Sequence, residues 1–341
     1  MTLTVYDSPA AFQRLRAEWN PLVRASAFDN LFMTWEWQTT WWQHLGTGQL
    51  CVLEVREGEE LLGIVPLFRE ESAEGRQRLS LVGCVEVSDY LDIVARRGAE
   101  EQVLGAMLAF LQGSEAPPWD VLDFCNLPQG SPTHDLLPAL AAAQGLPHQS
   151  AREDVCPVIH LPATWDDYLS SLSKKERHET RRKIRRLERE AAFGWHSIQA
   201  MDELPASMNA FIDLHRQSSD DKHHFMDDKM AAFFRAMAAV MLEKGWLWLS
   251  LLEIDQHPAA GLLCFDYGDR IWVYNSGFAP QFNHLSPGVV VKALCIQEAI
   301  QRGRAVFDFL QGAEPYKYRF GAVDTEVIRL MVLRTPASGR G

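Results

Sequence analysis

The chain has 341 residues, 47% hydrophobic and 23% charged, with a formal net charge of −12. That length exceeds what one core usually fills, so two domains are expected, and the composition is that of a globular protein, not a disordered or fibrous one. No apolar run approaches the length of a membrane helix, and Met1–Ala10 has no basic stretch leading into an apolar one, so neither a transmembrane span nor a secretory signal is expected.

Residues 1–155 carry 10 arginines, no lysine and 22 acidic residues, whereas 156–341 carry 23 basic and 23 acidic ones. The first half would repel a polyanion, so any phosphate chemistry belongs to the second. The six cysteines (51, 84, 125, 156, 264 and 295) are scattered through apolar runs without metal-ligand or redox spacing. They read as reduced core thiols of a cytoplasmic protein.

Hydrophobic periodicity predicts helices near 8–25, 34–44, 99–112 and 132–144 and strands near 50–56, 61–69, 78–84, 90–95, 120–125 and 154–160. The window 32–46 holds Trp35, Trp37, Trp41 and Trp42 but no Lys or Arg, so core packing is expected there before base stacking. Helices follow near 164–171, 173–192, 203–219, 227–243 and 288–302. The remaining strands lie near 194–199, 246–254, 259–267, 270–276, 305–310 and 326–334. Short Asp/Gly turns within 246–276 imply an antiparallel meander, and the helix between 276 and 305 implies a crossover. An internal echo joins the halves: a helix leads into VLDFCNL (121–127) and another into VFDFLQG (306–312). The fold class expected is α/β (α+β), two tandem units spanning 1–155 and 156–341, each a mixed, largely antiparallel twisted sheet flanked by helices.

Three segments carry candidate chemistry. Ser286-Pro287-Gly288 opens a helix with a cap hydroxyl, a proline suited to the first turn, and a glycine that admits close approach. The N–H groups of Gly288, Val289 and Val290 are expected to remain open to an anion. In GAEPYKYRFGA (312–322), Lys317 is placed to neutralise a phosphate or thioester oxygen. Tyr316 or Tyr318 is placed to protonate a leaving group. The basic helix 173–190 has nine Lys or Arg, with Arg177, Arg181, Arg185 and Arg189 in one stripe. Arg181 and Arg185 are candidates for contacts to donor phosphates; an RNA backbone is the alternative, disfavoured by the acidic first half. Adjacent His223 and His224 would diverge on a helix, and the Asp pairs around them read as a solvated loop, so no metal is expected. No GxSxG or activated cysteine is present, which favours direct transfer to a bound acceptor.

Together these segments resemble the CelD-like branch of the GNAT acyltransferase superfamily, related to the FemAB peptidyltransferases. The resemblance covers most of the chain. It rests on FMTWEWQTTWWQHLG (32–46), LPATWDDYLSSLSKKERHETRRKIRRLERE (161–190), DLHRQS (213–218) and the run from YNSGFAP through RAVFDFLQGAEPYKYRFGA (274–322). It implies two GNAT-like units in tandem, with the donor site in the second and the first degenerate or on the acceptor side. It further implies an N-acyltransferase using acyl-CoA or acetyl-CoA as co-substrate, with no metal. The family's pyrophosphate cradle maps onto Ser286, Gly288 and Val289, and its Asp-Phe-x-x-Gly and Tyr-Lys elements onto Asp308, Gly312, Tyr316 and Lys317. The family's glycine-rich Q/R-x-x-G-x-G/A loop is here NHLSPG, with one glycine. The implied partner is a small-molecule, cell-envelope or polysaccharide-precursor amine. FemAB-type transfer from aminoacyl-tRNA and a non-catalytic binding module are the alternatives. Asp308, His215 and a water-relayed carboxylate all remain candidate bases.

Overall fold

A computed structural model describes residues 1–84 and 87–334. The elements in chain order begin with β1 (Thr2–Tyr6), α1 (Ala10–Ala25), α2 (Trp35–Leu45), β2 (Gln49–Glu57), β3 (Glu60–Glu71), β4 (Gln77–Leu81) and β5 (Val94–Ala95). Then come α3 (Glu100–Gln112), β6 (Val121–Pro128), α4 (Pro132–Ala143), β7 (His148–His160), α5 (Trp165–Ser171), α6 (Lys174–Glu190) and β8 (Phe193–Ser197). The chain continues through α7 (Leu204–Ser218), α8 (Asp220–Phe225), α9 (Asp228–Glu243), β9 (Leu247–Ile254), β10 (His257–Tyr267) and β11 (Arg270–Phe278). It ends with α10 (Pro287–Gln301), β12 (Val306–Asp308), α11 (Pro315–Arg319) and β13 (Val323–Leu333).

Two compact units form among the described residues, one from 1–155 with 325–334 and one from 156–324. The C-terminal strand therefore departs from the sequence expectation, which gave 156–341 to the second unit. The cause is pairing: β13 lies antiparallel to β6, with Val327 opposite Pro128 and Leu333 opposite Val121.

In the first unit the strand order is β1-β2-β3-β4-β6-β13, and in the second β8-β9-β10-β11-β12-β7. The two orders correspond strand for strand. Each unit has antiparallel neighbours except one parallel pair, β4–β6 in the first and β11–β12 in the second. In that pair Ser80 faces Asp123 in the first unit and Trp272 faces Asp308 in the second. The echo in the sequence is thus an echo in topology, and each sheet is mixed and largely antiparallel, flanked by helices.

The tryptophan-rich window is core: Trp37 and Trp41 are fully buried and Trp37 stacks edge-on against Phe32. Helix α10 is buried nearly all round, through Val290, Val291, Cys295, Ile296 and Ala299, as expected for a crossover helix pressed on a sheet. Helix α6 buries only Thr180 and Leu187, and the Ser173 hydroxyl caps it by accepting from the Glu176 N–H.

Cys84 and Cys125 form a disulfide, which corrects the expectation of six reduced thiols. Parallel pairing of β4 with β6 brings together positions 41 residues apart, and no spacing rule signals that. Cys51, Cys156, Cys264 and Cys295 are free and buried. Among the described residues no helix is long and apolar enough to cross a membrane, and no group of three or more His, Cys, Asp or Glu is arranged to hold a metal ion.

Candidate functional site

Within the second unit, β11 and β12 are paired over only three residues, Arg270–Trp272 with Val306–Asp308. Beyond Asp308 the chain turns away: the Phe309 N–H donates to the Pro157 carbonyl and Leu310 adopts a left-handed φ of 58°. Residues 273–278 of β11 therefore continue without their parallel neighbour. The register between β10 and β11 also shifts here, with Leu263 opposite Asn275 but Cys264 opposite Val273, so Tyr274 is bulged. A bulge re-aims the side chains that follow it. Tyr274, Asn275 and Ser276 are half-buried.

The α10 start corrects part of the expected anion cradle. Ser286 is left-handed (φ 56°) and its hydroxyl does not cap. Its carbonyl accepts from the N–H groups of both Val289 (3.0 Å) and Val290 (3.1 Å), so these two are not open. Gly288 alone keeps an unengaged N–H among the three expected donors.

Asp308 is fully buried; it accepts from Arg270 at 2.7 Å and from the Leu310 N–H at 2.8 Å. Asp123 repeats this in the first unit with Arg329 (2.5 Å) and Arg78 (3.4 Å). A carboxylate so engaged in both copies holds the strand end and is not free as a base.

Lys317, 2% exposed, donates to the carbonyls of Leu310 (3.0 Å), Gln311 (2.7 Å) and Gly312 (2.9 Å) and pairs with Glu314 at 2.9 Å. Its ammonium is spent on the 310–312 turn. Lys317→Met should destabilise the second unit by about 2–3 kcal/mol, since hydrogen bonds to a charged group are lost together. Urea unfolding checks the loss, with new proteolytic cleavage at the turn as its local sign.

Tyr316 keeps its place. It lies in the short helix α11, where a simple turn was expected, and packs edge-on against Phe309. Burial, with the Glu314 charge added, raises its phenol above the ordinary value, so it holds its proton. Tyr316 and Val289 line a small cavity of about 40 Å³ with Thr180, Lys183 and Arg319. Arg181 and Arg185 are elsewhere. They line an open cradle of about 690 Å³ formed along α6 alone, and Arg181 also lies 3.7 Å from Asp166. The α6 cation beside the start of α10 is Lys183.

Sequence reasoning missed a cluster beside Tyr316. Lys292, 7% exposed on α10, donates to the Ser276 hydroxyl (3.2 Å) and sits over the Tyr316 ring, 4.9 Å from its centroid. Lys222 of α8 donates to the Ser276 carbonyl. Burial pushes both lysines down to about 8, and for Lys292 the Lys222 charge adds to it. The only sequence signal was a lone lysine inside the apolar run GVVVKALCI.

His215 of α7 is 1% exposed, and its Nδ1 has no hydrogen-bond partner. Burial, helped by the Lys222 charge, lowers its pKa to about 4. Below pH 6.5 the unfolded chain takes up a proton that the folded one refuses. Stability should therefore fall between pH 6.5 and 4, by about 3 kcal/mol in all, and stay level from this source above pH 6.5. Urea midpoints measured across that range should show a flatter acid limb in His215→Gln.

Residues 174–318 match the family model for an acetyltransferase (GNAT) domain. The match lies inside the second unit and contains the whole cluster. No curated protein matches the chain. Among solved structures, FemX shares the fold with a TM-score of 0.66 at 11% identity, over 97% of each chain. L-PGS from Bacillus licheniformis does so at 0.57 and 11% identity, over 98% of this chain and 94% of that one. A conserved protein of unknown function from Bacteroides thetaiotaomicron VPI-5482 does so at 0.57 and 12%, over 98% and 100%.

Proposed function

We propose that the chain is an N-acyltransferase that moves an acyl group, acetyl in the simplest case, from acyl-CoA directly to an amine. One observation carries this reading. The β11–β12 pairing ends at Trp272 and Asp308, so 273–278 of β11 run on without β12, with Phe278 beside Gly288 at the start of α10 and all of it within the segment that matches the GNAT domain; there we place the substrate cleft.

Donor phosphates would meet the Gly288 N–H, with Lys183 and Arg319 at hand. The thioester would lie along the free stretch of β11. The neutral amine attacks the thioester carbonyl, the carbon–sulfur bond breaks, Tyr316 supplies a proton to the leaving thiolate, and the proton lost by the acylated nitrogen returns through water to the phenol. Asp308 and Lys317 frame the cleft by fixing the 308–312 turn. Transfer should be followed as release of free CoA thiol across a panel of amines. Release no faster than acyl-CoA hydrolysis without protein, for every amine, would leave a binding module as the better reading. A cytoplasmic location belongs to the same proposal.

The α6 cradle favours a second reading, in which the donor is an aminoacyl-tRNA. Binding would then weaken steeply with salt and be lost when Arg181, Arg185 and Arg189 are neutralised. A gel shift at low salt with no tRNA complex would remove it.

A further inference from the structure

We propose that Lys222, Lys292 and Ser276 form a recognition site for a carboxylate carried by the acceptor, which makes the acceptor an amino-acid-like amine. The inference rests on the acyltransferase reading for the word acceptor, but the anion site itself stands on separate observations.

The first is convergence. Two ammonium groups from different helices, α8 and α10, meet on one residue of β11, Lys292 at the Ser276 hydroxyl and Lys222 at its carbonyl. Neither lysine forms an ion pair among the described residues. The second is charge balance. Among the described residues Glu314 is the one carboxylate whose charge acts on both lysines, and it is half-exposed and held 2.9 Å from Lys317. Three cations thus share one anion in a largely buried cluster, and buried charge without a partner is costly unless a partner arrives. The other groups facing the pair are His215 toward Lys222, and Tyr316, Cys264 and Cys295 toward Lys292. None of them supplies negative charge at neutral pH: His215 is neutral there, and burial raises the Tyr316 phenol and both thiols.

The third is access. Ser276, on the part of β11 that runs on past β12, and Lys222 of α8 are both half-buried, so neither is closed off from solvent. Two point-like ammonium groups and a hydroxyl, with no guanidinium fork among them, suit a small carboxylate with one oxygen for each cation. The site is distinct from the proposed donor contacts: Lys292 reaches the Gly288 carbonyl at 3.3 Å, whereas donor phosphates would use the Gly288 N–H, Lys183 and Arg319.

The test needs neither donor nor turnover. The chain has eight lysines, so a sample labelled with carbon-13 at lysine Cε gives a spectrum that Lys222→Met and Lys292→Met can assign. Should either variant fail to fold, Lys222→Arg and Lys292→Arg serve instead. In sodium chloride the two signals should titrate near pH 8. In sodium acetate of equal ionic strength both midpoints should rise by about one unit or more, as expected for an opposite charge within reach. The exposed Lys229 and Lys244 are internal controls and should not move. Unmoved midpoints in acetate would overturn the site. A larger shift with inorganic phosphate than with acetate, or displacement of acetate by CoA, would overturn the assignment to an acceptor carboxylate. Failure of acetyl-CoA to bind would sink the donor reading while leaving the acetate result intact.

Discussion

Asp308→Ala is expected to destabilise the second unit by about 3 kcal/mol, because it leaves Arg270 and the Leu310 N–H without their buried partner. The value sits at the low end of the range for broken buried pairs, since Arg270 still reaches solvent. Urea unfolding should show the loss, in one of two transitions where the two units unfold separately. Asp123→Ala should produce the matching loss in the other transition, because Asp123 anchors the corresponding strand to Arg329 and Arg78. Asp308→Asn separates the structural role from a catalytic one. If Asp308 were the general base, this variant would lose about 10²–10⁴ in rate. With Asp308 as an anchor, the pH profile of transfer stays where it was.

Gly277→Ala should cost about 3 kcal/mol or more, at the upper end for forcing volume into a packed site. A Cβ at Gly277 would lie 2.3 Å from the His215 nitrogen and 2.5 Å from the Leu214 carbonyl carbon, and both are backbone atoms of α7. The helix would have to lift from β11, carrying His215 away from Lys222 and Ser276. Urea unfolding gives the size of the loss. The lysine midpoints near pH 8 would drift toward their ordinary value as water enters, so the variant links packing to electrostatics in one experiment. An unchanged urea midpoint would show that α7 does not approach the strand this closely.

Much of the architecture was legible because the elements are strongly patterned. The meander β9-β10-β11, the crossover through α10 and the cap at Ser173 follow from alternation, short turns and a hydroxyl three residues before Glu176. The paired echo around Asp123 and Asp308 was legible as sequence, and its topology explains it. What the sequence did not show depends on distant partners. β1 is a short edge strand with a weak apolar pattern, and α8 sits in an Asp/His-rich stretch that reads as a loop. The last strand joins the first unit through pairing that no local pattern encodes.

The site was half legible. Tyr316 lies with Val289 in one small cavity, but the N–H groups of Val289 and Val290 are used by a left-handed Ser286, a backbone state that serine does not announce. Asp308 and Lys317 read as catalytic candidates in the sequence, and their partners are those of residues that hold the turn. Lys222 and Lys292 were missed because their meaning lies in convergence from two helices on Ser276.

Binding of acyl-CoA at the start of α10 is checked by calorimetric titration of the protein with acetyl-CoA, run beside Gly288→Ala. A Cβ at Gly288 meets only ordinary contacts with Phe278, the nearest at 3.5 Å, so the variant should fold and unfold no more easily than the parent. The account predicts binding by the parent in the micromolar-to-millimolar range usual for enzyme substrates, and roughly tenfold weaker binding by the variant. No heat from the parent at millimolar acetyl-CoA, or equal affinity in the two proteins, would contradict it.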